Sequence, residues 1–113
     1  MKKIEAFIRP EKLEPVKDAL HSKDIKGMTI HNVRGHGAQK GIKLMGRAGE
    51  YCLPWIDKIK LEIVVSDKVN VEEIIEAIIV SSQTGKPGDG KIFITPVLDA
   101  IRIRTKERGE EIL

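Results

Sequence analysis

Residues Lys2 to Ile8 alternate, with Ile4, Ala6 and Ile8 on one face and Lys3, Glu5 and Phe7 on the other, which predicts a first β-strand. Pro10 suits a first helical turn, and Leu13, Val16 and Leu20 then recur at helical spacing to about Ser22. Gly27 leads into a β-like run from Met28 to Arg34 that ends at Gly35. The cleanest alternation places Ile59, Leu61, Ile63 and Val65 on one side and Lys58, Lys60, Glu62 and Val64 on the other. A helix is predicted from Val71 to Ser82, with Ile74, Ile75, Ile78 and Ile79 as its buried stripe. Two short β runs follow, Ile92 to Thr95 and Ala100 to Arg104, and the charged tail from Lys106 is expected to fray.

The order β-α-β-β-α-β predicts an α+β, ferredoxin-like domain: an antiparallel sheet with two helices on one face. The helices are expected on the Ile/Leu/Val face. The opposite face would carry Glu5, Phe7, Lys58, Lys60, Glu62, Phe93, Arg102 and Arg104. Such a mixed face suits water, or burial against further copies of the chain with a polar ligand between them.

A length of 113 residues suits one domain with one core. Hydrophobic content of 41% beside 33% charged residues describes a globular chain. No apolar run approaches the roughly 20 residues of a membrane span, and no signal-peptide pattern opens the sequence. The lone Cys52 excludes an internal disulfide, so the expected setting is the reducing cytoplasm. A net charge of +3 does not by itself argue for nucleic acid. Nor do Phe7 and Phe93 alone make the stacking platform of an RNA-binding sheet.

Two stretches carry candidate chemistry. Between the second and third strands, Gly35 to Asp57 shows little regular pattern, and a connection beyond about 12–15 residues in a small domain is usually functional or disordered. It is either a surface Ω-loop or a segment ordered by a ligand or partner. The second stretch, Thr84-Gly85-Lys86-Pro87-Gly88-Asp89-Gly90-Lys91, reads in two ways. Glycines followed by a lysine suit a cradle for phosphate oxygens. A helix cap with Gly85 at C′ and a Pro87 stop accounts for part of the same pattern.

The latter stretch with Ile92-Phe93, followed by Ile101-Arg102-Ile103-Arg104-Thr105, resembles the C-terminal signature of the PII nitrogen-regulatory proteins. Met1-Lys2-Lys3-Ile4-Glu5-Ala6, Gly27-Met28-Thr29 and Gln39-Lys40-Gly41 are similar to that family too, and the resemblance spans the chain. It implies a homotrimer with ATP or ADP in each cleft between subunits, Mg2+ and 2-oxoglutarate at the base of the long loop, and signalling through that loop (the T-loop, about residues 37–55). The nucleotide-binding positions it implies are Gly35, Gly37, Gly88, Asp89, Gly90 and Lys91, with Glu62 and Val64 beside the adenine. Thr29, Arg102 and Arg104 would reach across the subunit interface. Gln39 would contact Mg2+ and, with Lys40, Gly41 and Lys58, surround 2-oxoglutarate.

Arg102 and Arg104, two apart on the expected strand, would share one face and with Lys91 supply three cations at one end of the sheet. Without the resemblance, that arginine pair reads as a solvated strand face and Lys58 as an ordinary exposed lysine. Arg47 matches the residue that enters the pore of ammonium channels in some relatives, and Tyr51 a tyrosine that is uridylylated in others. The chain departs from the family at Ala38, where an arginine is usual, at Gly46, where a tyrosine is usual, and in the order Arg47-Ala48-Gly49-Glu50. Pro54 comes early and is followed by Trp55. Gly49 excludes the serine phosphorylation of cyanobacterial relatives. The expected partners are further copies of the chain and a target such as an ammonium channel, with no nucleic acid and no membrane insertion. The alternative is a weak nucleotide-hydrolysing enzyme, for which Asp89 and Glu62 are the only candidate bases.

Overall fold

A computed structural model describes residues 1–37, 42–53 and 55–113, with the backbone alone at 42–44 and 51–53. Gln39, Lys40, Gly41 and the departure at Ala38 lie outside the described residues, as do Pro54 and the side chain of Tyr51. The order of elements is β1 (Lys2–Ile8), a 3-10 turn (Pro10–Lys12), α1 (Leu13–Ser22), β2 (Thr29–Gly35), β3 (Ile42–Gly46), β4 (Gly49–Leu53), β5 (Ile56–Val65), α2 (Val71–Ser82) and β6 (Lys91–Pro96). A second 3-10 turn, Glu110–Ile112, closes the chain.

The four-stranded sheet runs β2-β5-β1-β6, antiparallel throughout, which is the expected ferredoxin-like arrangement. Its register explains the core. Ile4 lies opposite Ile63 and Ile94, and Ala6 opposite Leu61 and Ile92, so the apolar sets of three strands share one face. Val16 and Leu20 of α1 and Ile74 and Ile78 of α2 complete that buried cluster. Asn70 caps α2, its Oδ1 accepting from the Glu72 N–H at 3.1 Å. The buried stripe of α2 is narrower than expected. Ile74, Ile78 and Ser82 are buried, whereas Ile79 is exposed.

Three expectations are corrected. The patternless loop contains a two-stranded hairpin, β3 paired with β4 from Ile42↔Leu53 to Gly46↔Gly49 around Arg47 and Ala48. The hairpin forms its own sheet, and none of residues 45–50 is buried, so its ladder is backbone pairing without a core to impose a visible stripe. The final strand is also absent. Only Ile101 and Arg108 bridge, and the segment turns back through Arg102 N–H to the Glu107 carbonyl and Lys106 N–H to the Arg102 carbonyl. Ile101 and Ile103 alternate as a strand should, yet within this chain they meet no surface to bury against, and Ile103 is 95% exposed.

The tail is docked rather than frayed. Glu110 accepts from Ser66 Oγ at 3.0 Å and from the Asp67 N–H at 2.9 Å. These bonds hold its carboxyl below the usual carboxylate range. The structure thus ties residues 106–113 to the far end of β5, where sequence alone offered only charge.

The open face of the sheet carries alternating charges. Lys60 pairs with Glu62 at 3.0 Å and lies 4.0 Å from Glu5, which Lys3 approaches to 3.0 Å. Phe7 and Phe93 meet edge to face beside them, ring centres 6.0 Å apart. Arg102 and Arg104, expected on this face, lie outside the sheet.

A cleft at the glycine-rich loop

The turn between α2 and β6 is built around one carboxylate. Asp89 Oδ2 accepts from the backbone N–H groups of Thr84 (2.8 Å) and Gly85 (2.9 Å). Its Oδ1 accepts from Thr84 Oγ1 at 2.5 Å and Arg9 Nε at 3.0 Å. The Thr84 hydroxyl and N–H, then Arg9 and the Gly85 N–H, hold the Asp89 carboxyl far below its ordinary range. Asp89 was expected at the nucleotide. It does not line the cleft described below but fastens the loop that does.

The expectation of Gly85 at C′ is corrected. The C-cap of α2 is Gln83, whose N–H donates to the Ile79 carbonyl, so Gly85 lies beyond C′. Its φ of +83° serves the turn that brings its N–H onto Asp89. Gly90, with a φ of +110°, is more demanding, because a Cβ there would overlap the Phe7 carbonyl oxygen and lie 2.8 Å from its carbon. The loop therefore presses its backbone against the end of β1.

This packing opens a cleft of about 650 Å³ between the loop and the ends of β2 and β5. Six of the residues expected at nucleotide or 2-oxoglutarate line it: Gly35, Gly37, Lys58, Gly88, Gly90 and Lys91. Lys58 is not an ordinary exposed lysine. It is half-buried, its Nζ donates to the Gly88 carbonyl, and desolvation followed by the nearby Arg9 charge lowers its pKa against the opposing pull of Asp89. An anion beside Lys58 would relieve that penalty.

The chain matches the family model described as "Nitrogen regulatory protein P-II" over residues 1–107. It belongs to the P-II nitrogen regulatory protein family. Proteins named "Nitrogen regulatory protein P-II" from Haemophilus influenzae and Azospirillum brasilense are 52% and 49% identical to it over 113 residues, all of this chain and all of each relative. "Nitrogen regulatory protein P-II 1" of Methanothermobacter thermautotrophicus is 50% identical over 113 residues, covering all of this chain and 97% of that protein. These relatives bear the names of regulators.

In this P-II protein Thr29, Glu62, Val64, Arg102 and Arg104 do not line the cleft. Thr29 and Glu62 face each other across β2 and β5, and Val64 lies further along β5 opposite Lys3. Arg102 and Arg104 are further still. Lys91 begins β6 beside Phe7, Pro96 ends it beside Lys2, and those five residue steps span about 17 Å. The tail's anchors, Met1, Ser66 and Asp67, are all at that opposite end. The expectation of three cations at one end of one sheet is therefore corrected.

Sequence reading missed Arg9, which pins the loop through Asp89 and, by Nη2 at 2.8 Å, through the Pro87 carbonyl. It also missed His36, which lines the cleft and packs against Trp55 with ring centres 5.8 Å apart. That pair joins the chain after β2 to the chain before β5. An arginine just before a helix-initiating proline carries no local signal of a partner eighty positions away. Arg47 sits exposed at the hairpin turn. Among the described residues no helix is long and apolar enough to cross a membrane.

Asp89 gives a pH prediction. Its folded pKa is depressed, so its stabilising bonds are present above the unfolded value near 3.8 and are lost as pH falls through the lower folded value. Asp89→Asn should lower the urea midpoint at pH 7, and the gap from wild type should narrow as pH falls below 3.8. An equal gap at every pH would show that the carboxylate charge is not what holds the loop.

Proposed function

We propose that this P-II protein reports nitrogen, carbon and energy status in the cytoplasm by binding ATP or ADP, with Mg2+, in the cleft at Lys91. It would take 2-oxoglutarate beside Lys58 and regulate a target protein through residues 37–55. The observation that carries this reading is the cleft itself, in which the Gly88–Lys91 turn, Gly35 and Gly37 surround a space with two lysines facing it. Close-approaching backbone and point charges suit phosphate oxygens. A dicarboxylate beside Lys58 would offset the desolvation that lowers its pKa. In this reading Gln39, Lys40 and Gly41 complete the 2-oxoglutarate site, and Gln39 contacts the Mg2+ that the nucleotide phosphates carry. When bound, the metal neutralises phosphate charge.

Arg102 and Arg104 lie toward the end of the sheet opposite Lys91, so in this reading a neighbouring copy supplies them. Closed threefold symmetry repeats such a head-to-tail interface without leaving an open end. Thr29, Glu62 and Val64 then act along the face between subunits. An ammonium channel is the target we favour, met by Arg47 at the hairpin turn, with Tyr51 the candidate for covalent modification. Both bases considered for the hydrolytic alternative are already engaged. Asp89 is held ionised by Thr84, Gly85 and Arg9, and Glu62 is paired to Lys60.

Calorimetry with ATP and magnesium, with and without 2-oxoglutarate, tests the reading. Each ligand should tighten the other by the same factor. Two independent isotherms would refute a signal carried by their coupling. Lys58→Ala should abolish 2-oxoglutarate binding while leaving ADP affinity nearly intact, and parallel loss of both would reassign Lys58 to the fold.

A further inference from the structure

We propose that Glu107 is an internal stand-in for nucleotide phosphate, resting on Arg102 until the ligand displaces it. The inference depends on the nucleotide reading above and adds a residue that tunes its affinity. Arg102 Nη1 lies 3.2 Å from Glu107 Oε1, an ion pair between side chains that are 40% and 55% exposed. The backbone builds this contact. Arg102 N–H donates to the Glu107 carbonyl at 2.9 Å, and Lys106 N–H donates to the Arg102 carbonyl at 2.8 Å. Lys106 adopts a φ of +63°, a left-handed conformation that a lysine rarely takes, and so turns the chain until Glu107 returns opposite Arg102. Thr105 Oγ1 then accepts from the Glu107 N–H at 3.3 Å.

The two arginines are consequently unequal. Arg102 holds Glu107 and, by Nη2 at 3.5 Å, the Ile112 carbonyl. Among the described residues Arg104 has no hydrogen-bond or ion-pair partner and is exposed. A phosphate arriving from a neighbouring subunit's cleft meets Arg104 free, whereas at Arg102 it must replace a carboxylate. A phosphate oxygen accepts from the same guanidinium N–H groups and brings more charge, so the exchange favours the ligand at a modest cost in affinity. The half-exposed setting keeps that cost small, as a contact meant to be exchanged requires.

The test is calorimetric titration of ATP into the wild-type protein, Glu107→Gln, Arg102→Gln and the double variant. Glutamine keeps the size of the side chain and every backbone bond of the turn, and unchanged thermal unfolding would establish that the segment is intact. Glu107→Gln should bind ATP about two- to fivefold more tightly than wild type. Glu107→Ala should show the same gain, which guards against a glutamine that still bonds Arg102. In the Arg102→Gln background the gain should vanish, because the competed group is gone. If wild type binds ATP and both Glu107 variants bind it equally or more weakly, Glu107 is no competitor and the inference is overturned. A gain that survives in the double variant would assign the effect to general charge and overturn it likewise. If wild type binds neither ATP nor ADP, the nucleotide reading itself fails and takes this inference with it.

Discussion

Replacing Gly90 with alanine is expected to destabilise the protein by about 3–5 kcal/mol, as left-handed backbone strain adds to the shift needed to clear β1. The φ of +110° and the overlap of a new Cβ with the Phe7 carbonyl act together, and neither neighbour can yield cheaply because both are backbone. Phe7 is paired on one side to Lys60 and on the other to Lys91. Moving it would disturb the centre of the sheet. Against a typical total of about 5–15 kcal/mol, the loss would be plain in a urea titration followed by circular dichroism. Gly85→Ala is the internal comparison. Gly85 also has a positive φ, but a Cβ there meets open space, so only the strain of about 1–2 kcal/mol applies. Equal and small effects at the two sites would mean that the loop does not press on β1 as described.

The second large effect concerns where the ligand site is completed. Lys91→Ala should weaken ATP binding about tenfold to a hundredfold, the loss of a charge-assisted contact to phosphate. Arg104→Ala should do the same from the opposite end of the sheet. If the two residues serve one ligand from different chains, mixing the two variants after unfolding and reassociation restores some complete sites. Random assembly pairs an intact Lys91 of one chain with an intact Arg104 of its neighbour at about a quarter of the interfaces of a head-to-tail ring. High-affinity ATP binding should therefore reappear at about that stoichiometry. A mixture that binds no better than its parents would place both residues in the same chain's site, contrary to the separation along β6.

Much of the fold was legible in the sequence because its core is read by local periodicity. Ile4, Ala6 and Ile8, and then Ile59 to Val65, alternate because one face of each strand is buried beneath helices, and that period survives without knowledge of the partner strand. The stripe of α2 was overestimated for a related reason. Ile75 and Ile79 are apolar and correctly spaced, but the buried row is Ile74, Ile78 and Ser82, with Ile75 only partly covered and Ile79 exposed. The candidate site was legible as a glycine-lysine pattern, and six of its residues do meet in one cleft. The contacts of Arg9 with Asp89 and of His36 with Trp55 were not legible, since each joins segments far apart in the chain.

By itself, then, the sequence determined the α+β order, the buried faces of β1 and β5, the two helices and the glycines of the turn before β6. These follow from local spacing and from backbone angles that few residues other than glycine adopt easily. Only the tertiary structure decided that Asp89 fastens the loop, that residues 42–53 pair as a hairpin, and that the tail docks through Glu110 at the end of the sheet away from Lys91. The reason is physical. Exposed segments carry no burial period, so their conformation is set by hydrogen bonds, some local and some to distant groups, which no hydrophobic pattern records.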